Sequence, residues 1–146
     1  MKTILLASAL AFATLTVSAK ENNSFKNVSY NTLKSFEQHF GDAANVAWSP
    51  AADGMTKATF TSGGETVTAF FDAEGDFVAT TAYRSISELP LKLRSSIKTY
   101  AKDAQVLEIV ELQGDSEYAY FVKLRTADGE KILKGYSNGY LRPTSL

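Results

Sequence analysis

The chain contains no cysteine, which excludes disulfides, thiol nucleophiles and thiolate metal sites together. Its single histidine, His39, rules out a histidine metal cluster and leaves any serine–histidine pair only one candidate base. No G-x-S-x-G elbow occurs. Gly63-Gly64 runs into Glu65-Thr66 rather than Lys-Ser/Thr, so it is no phosphate loop. An excess of one charge is also missing, since 15 Lys and Arg stand against 16 Asp and Glu for a net charge of −1. That balance offers no general attraction to nucleic acid or to anionic lipid. Beyond residue 19 no apolar run is long enough to span a bilayer, so stable membrane insertion is not expected. Without disulfides, apolar burial is the only term large enough to offset chain entropy.

The N-terminus reads as a processing signal. Lys2 supplies a positive start, Ile4 to Val17 an apolar stretch, and Val17-Ser18-Ala19 a small-residue cleavage site. Residues 1–19 are therefore expected to be a cleaved signal peptide. No cysteine follows it, so the chain is not a lipoprotein, and the expected location is periplasmic or secreted. Residues 20–28 read as a flexible polar tether, and 29–146 as a single domain.

Within that domain the sequence states one pattern twice. Leu33-Lys34-Ser35 leads to Phe36, Phe40 and Asn45-Val46; Leu93-Arg94-Ser95 leads to Ile97, Tyr100 and Gln105-Val106. Each is followed by β-type runs around a Gly-Glu pair, Gly64-Glu65 and Gly129-Glu130, and by a later turn at Gly75 or Gly139. Periodic self-similarity of this size predicts one supersecondary unit built twice, over about 29–83 and 85–143.

A first helix is predicted from about Tyr30 to Phe40, capped by Ser29 and buried through Leu33, Phe36 and Phe40. A second is predicted after Pro90, with Leu89, Leu93, Ile97 and Tyr100 as its apolar stripe. Strands are predicted at 45–49, 55–61, 65–72, 77–83, 106–113, 117–125, 130–137 and 140–143. Their short separators imply antiparallel meanders. Alternation places Ala58, Phe60, Val67, Ala69 and Phe71 on one face, with Val122, Leu124, Ile132 and Tyr136 as counterparts. Thr59, Thr66, Thr68, Lys123, Arg125 and Lys131 then face water. The fold class is α+β: an antiparallel sheet with helices packed on one face, as a tandem repeat of a helix plus β-meander unit.

Asn45-Val46-Ala47-Trp48-Ser49, the Gly64-Glu65 turn, Val67 to Phe71 with Asp72-Ala73-Glu74-Gly75, and Ser87-Glu88-Leu89-Pro90 form an ordered series. The series resembles the PepSY-like, β-lactamase-inhibitor-like family of small exported bacterial envelope proteins over about residues 29–143. The resemblance implies an α+β fold in the periplasm and, for the namesake inhibitors, a protein partner held across an open sheet surface. The chain lacks the cysteines expected of the disulfide-bearing inhibitors.

Asp72, Glu74 and Asp76 alternate around Gly75 and suggest a cation site, but the sixth position counted from Asp72 is Phe77 rather than the glycine of an EF-hand loop. Turn geometry explains these residue types better, because Ser137-Asn138-Gly139 keeps the turn in the second copy without the carboxylates. Arg94, Lys98 and Lys102 form a basic stripe that reads as a solvated helix face. No catalytic residue, metal or cofactor is expected. Alternation turns Phe70 outward beside Thr66 and Thr68, and with Trp48 it forms the candidate anchor for a partner. The expected function is non-enzymatic recognition of an envelope protein or peptide on an open sheet face, with Trp48, Thr66, Thr68 and Phe70 as site residues. The alternative is an envelope small-molecule or calcium sensor binding in the cleft between the repeats.

Overall fold

A computed structural model describes residues 27–145. The expected signal peptide at 1–19, and the tether up to residue 26, lie outside the described residues. Among the described residues are two α-helices and eight strands: α1 (Tyr30–His39), β1 (Ala44–Pro50), β2 (Thr56–Ser62), β3 (Glu65–Phe71), β4 (Phe77–Tyr83), α2 (Leu91–Tyr100), β5 (Gln105–Gly114), β6 (Tyr118–Thr126), β7 (Gly129–Gly135) and β8 (Leu141–Thr144). The strands pair antiparallel with their chain neighbours in both halves, so the class is α+β. The chain divides into two compact units, one ending at Val78 and one spanning Ala79–Ser145.

In the first unit Ser29 caps α1 from extended backbone, its Oγ accepting the Thr32 amide at 3.0 Å. This satisfies one of the amides that a helix start leaves without an intrahelical partner. Phe36 and Phe40 of α1 pack on Ala58 and Phe60 of β2 and Ala69 and Phe71 of β3. Phe36 meets the Phe60 ring edge-on, with centroids 5.1 Å apart at 88°, the arrangement aromatic quadrupoles favour.

The buried side of α1 is rotated from expectation. Leu33 is 45% exposed, and Thr32 is the buried residue of the first turn. The turn after β3 packs on this first turn of the helix. A Cβ on Gly75 would stand 2.7 Å from the Thr32 nitrogen and 2.8 Å from Asn31 Cβ, so the turn lies directly on the helix start. Gly75 also has φ +93°, which L side chains resist. Gly75→Ala is therefore expected to lose more stability than Gly54→Ala, whose φ is +74° with nothing within 4 Å. Left-handed strain alone costs about 1–2 kcal/mol, and chemical denaturation of the two variants measures the excess due to contact with α1.

In the second unit a capping box precedes α2. The Glu88 carboxylate accepts the Ser85 amide and hydroxyl, both at 2.6 Å, and these bonds hold it below the usual carboxylate range. Leu89, Leu93 and Ile97 are buried against Ile109, Val122, Leu124 and Leu133. Tyr100, expected in the stripe, is 47% exposed.

Two expectations about this unit's faces are corrected. First, Leu133 rather than Ile132 enters the core, where it pairs with Val122. Ile132 pairs with Lys123 on the other face. The β2–β3 turn is Gly63-Gly64, closed by Ser62 opposite Glu65, whereas the β6–β7 turn is Ala127-Asp128, closed by Thr126 opposite Gly129. Matching Gly129 to Gly64 is thus one residue out of register, and a one-residue slip exchanges the faces of a whole strand. Lys131 and Tyr136 change sides with Ile132. Gly135 falls on the helix side, where a Cβ would stand 2.6 Å from Leu93 Cδ1.

Second, the face away from α2 is not uniformly wet. Val110 opposite Phe121, and Leu112 opposite Ala119, are all 7% exposed or less. The unbroken apolar run Ala119-Tyr120-Phe121-Val122 is the mark of a strand buried on both faces. Polar groups surround this apolar centre in pairs: Lys123 with Glu130 at 2.8 Å, and Lys134 with Glu117. The Lys123 ammonium holds Glu130 below the usual carboxylate range.

Candidate functional site

The side of strands β1 to β3 turned away from α1 is a hydroxyl-bearing surface. Alternation sends Lys57, Thr59 and Thr61 of β2 to this side because Ala58 and Phe60 face the helix. On β3 the same rule sends Thr66, Thr68 and Phe70 there, since Ala69 and Phe71 are in the core. The register then places Thr61 opposite Thr66, Thr59 opposite Thr68, and Lys57 opposite Phe70. Ala47 and Ser49 of β1 extend two of these rows, beside Thr59 and Lys57 respectively.

Thr66 is exposed, while Lys57, Thr59, Thr61 and Thr68 are half-buried. The Thr59 and Thr68 hydroxyls share a hydrogen bond of 3.0 Å. A hydroxyl has one proton and two lone pairs, so this pair still offers hydrogen-bonding capacity to a ligand. Lys57 is the only titratable group among these side chains. They therefore lack the paired acid and base of proton-transfer chemistry; what they can supply is hydrogen bonding.

The structure separates the two expected anchors. Trp48 pairs with Ala58 and lies on the helix side, its ring 5.1 Å from Phe36 and 5.9 Å from Phe71. Phe70 is on the other face, in line with Thr66 and Thr68, and is 4% exposed. Trp48 and Phe70 thus form no common anchor, and Phe70 does not project. β1 carries an irregularity between Ala44 and Ala47, with Asn45 at φ +55°. A bulge inserts a residue that breaks simple alternation, which is why the face of Trp48 could not be counted along the strand. Lys57 and Thr61 stand on the same face beyond the expected residues, and the Lys57-x-Thr59-x-Thr61 alternation carries the signal for them.

The other constellations resolve into local structure. Asp72 Oδ1 accepts the Glu74 amide at 3.1 Å and the Asp76 amide at 2.9 Å. Asn138 Oδ1 serves the corresponding turn by accepting the Tyr140 amide at 2.9 Å, so these residues act in turn formation. His39 is exposed and stacks on Phe77, centroids 4.7 Å apart at 29°. Its Nδ1 lies 2.7 Å from the Ser35 carbonyl oxygen; because a carbonyl only accepts, Nδ1 carries the proton. Arg94 Nη1 donates to the Ser87 carbonyl at 3.4 Å, and Lys98 and Lys102 are exposed.

In the second unit the Glu111 carboxylate accepts from Arg84 Nε and from the Tyr118 hydroxyl, and the Tyr118 and Tyr120 hydroxyls are 2.9 Å apart. Burial, reinforced by Glu111, pushes the Tyr118 phenol well above its ordinary range. Tyr83 is raised for the same leading reason, with Glu108 beside it. Each phenol donates its proton to the neighbouring carboxylate, Tyr118 to Glu111 and Tyr83 to Glu108.

Solved structures share this arrangement of elements. A BLIP-like protein from Bacteroides fragilis superposes with a TM-score of 0.73 over 86% of this chain and 91% of its own, at 15% identity. The chain has a BLIP-like fold. A DUF2874 family protein from Bacteroides ovatus matches at TM-score 0.72 over 80% of this chain and 88% of its own, with 19% identity. A candidate periplasmic protein from Bacteroides eggerthii matches at TM-score 0.72 over 81% and 88%, with 14% identity. No protein-family model and no curated protein matches the sequence. Among the described residues no helix is long and apolar enough to cross a membrane.

Proposed function

We propose that the protein is an exported, non-enzymatic binding domain that recognises an envelope protein or peptide on the threonine-bearing face of its first unit. The observation that carries this reading is the paired array of Thr59, Thr61, Thr66 and Thr68, backed by a helix-covered aromatic core that needs none of their hydroxyls. Interfaces draw affinity from a desolvated centre and specificity from surrounding polar groups. Here Thr66 and Thr68 supply the polar contacts, and the closely packed Phe70 forms a firm floor. Trp48 supports the same sheet from behind through Phe36 and Phe71. The BLIP-like fold of a neighbouring structure favours recognition over catalysis, although fold alone does not transfer a function. We also read the two units as copies of one helix-plus-meander block. In this reading the copies have diverged on the faces turned away from their helices, the first keeping hydroxyls and the second an apolar centre with ion pairs.

Thr66→Arg tests the proposal. Thr66 is exposed, so stability should remain within about 0.5 kcal/mol of the parent. Capture of a partner from envelope extract should fall at least about tenfold, because a bulky charge would have to be desolvated in the interface. Equal capture by parent and variant would remove the threonine face from the binding surface.

A further inference from the structure

A second candidate site lies entirely within the second unit. The α2 residues Ser96, Thr99 and Tyr100 face Gly139, Tyr140 and Leu141 across an open depression of about 460 Å³. This lies within the ~300–1,000 Å³ span of small-molecule sites. The depression carries two features that core packing does not require. Its aromatic walls are wet, Tyr100 being 47% exposed and Tyr140 58%. Every polar side chain lining it bears a hydroxyl, with no carboxylate, amide or ammonium among them.

The geometry is held in place before any ligand arrives. The Tyr136 amide donates to the Tyr140 carbonyl at 2.9 Å, the Gly139 amide to the Tyr136 carbonyl at 2.9 Å, and the Tyr140 amide to Asn138 Oδ1 at 2.9 Å. The turn is seated so closely on α2 that a Cβ on Gly139 would stand 3.2 Å from Ser96 Oγ and from the Lys92 carbonyl oxygen. Tyr140 is therefore presented from a pinned turn, 6.0 Å from the Tyr136 ring at 31°. Thr99 Oγ1 donates to the Ser95 carbonyl at 3.0 Å, which spends its proton and leaves its lone pairs as acceptors.

We infer that this depression binds a neutral saccharide, one pyranose ring lying against Tyr140 or Tyr100. A pyranose has an apolar face of C–H bonds and a rim of hydroxyls that both donate and accept. A tyrosine ring matches the face, with a polar tip toward water, and Ser96, Thr99 and the tyrosine hydroxyls match the rim. The absence of charge from the lining favours an uncharged sugar over a phosphate, a carboxylate or a basic peptide, each of which would bring a charge without a partner. A preorganised turn lowers the ordering cost of binding, although the openness of the site sets a weak affinity.

The test is saturation-transfer NMR on the full chain with maltotriose, cellotriose and N,N′,N″-triacetylchitotriose, each titrated to ~10 mM. The expected result is transfer from the protein to ring protons of at least one trisaccharide. Tyr140→Ala should weaken that binding about tenfold with an unchanged melting temperature, and Tyr140→Phe should retain most of it, because the ring supplies the stacking. No transfer to any of the three sugars, or transfer undiminished in Tyr140→Ala, would overturn the inference. Because the threonine face belongs to the other unit, Thr66→Arg should leave sugar binding unchanged, so the two proposals fail separately.

Discussion

Phe71→Ala is expected to destabilise the protein by about 3–5 kcal/mol, the usual cost of emptying a buried phenylalanine site. Phe71 is fully buried, and it joins the strands to the helix through three aromatic neighbours. Phe36 lies 6.2 Å away, Trp48 5.9 Å and Phe77 6.0 Å between centroids. Neighbours this large and this constrained cannot collapse fully into the space, so a cavity cost is added to the lost transfer energy. Trp48 is the only tryptophan of the chain, and its fluorescence should change in the folded variant because one of its ring contacts is gone. Equilibrium urea unfolding followed at Trp48 reads both effects. A loss below about 1 kcal/mol would mean that Phe71 does not hold the helix to the sheet.

Leu133→Ala should cost about 2–5 kcal/mol, and Ile132→Ala distinctly less. The contrast tests which face of β7 meets α2. Leu133 is fully buried opposite Val122 and in the cluster with Leu93 and Ile97, whereas Ile132 is half-buried opposite Lys123. Thermal unfolding of the two variants under identical conditions would show the larger drop for Leu133. The reverse order would restore the one-residue alignment of Gly129 with Gly64 and with it the expectation that Ile132 and Tyr136 point inward.

That alignment shows where the sequence could be read and where it could not. Element positions were legible because turn residues and alternation mark them locally: Ser29 caps α1 as expected, and all eight strands fall within a residue or two of their predicted bounds. Faces were legible in β2 and β3, where Ala58, Phe60, Val67 and Ala69 alternate with Lys57, Thr59, Thr66 and Thr68. Face assignment failed in β7, because a Gly-Glu pair is part of a two-residue turn at Gly64 but follows one at Gly129. Pairing register is a tertiary fact, and a short motif does not determine it. It also failed at Trp48, beyond the irregularity in β1, and in the first turn of α1, where Thr32 rather than Leu33 is buried beside the Gly75 turn. Phe70 was assigned to the correct face but not to the correct exposure, because alternation gives direction and not depth. The hydroxyl-lined depression beside Tyr140 joins residues that are far apart in the chain, and nothing local in the sequence announces it.

The most direct measurement places a photo-crosslinking side chain at Thr66 in one preparation and at Lys34, on the exposed side of α1, in another. Each is irradiated in envelope extract and the adducts are resolved by mass. If the sheet is used on the side turned away from its helix, one discrete protein adduct should form from position 66 and none from position 34. Adducts formed from the helix position alone, or equally from both, would contradict the assignment of recognition to the threonine-bearing face.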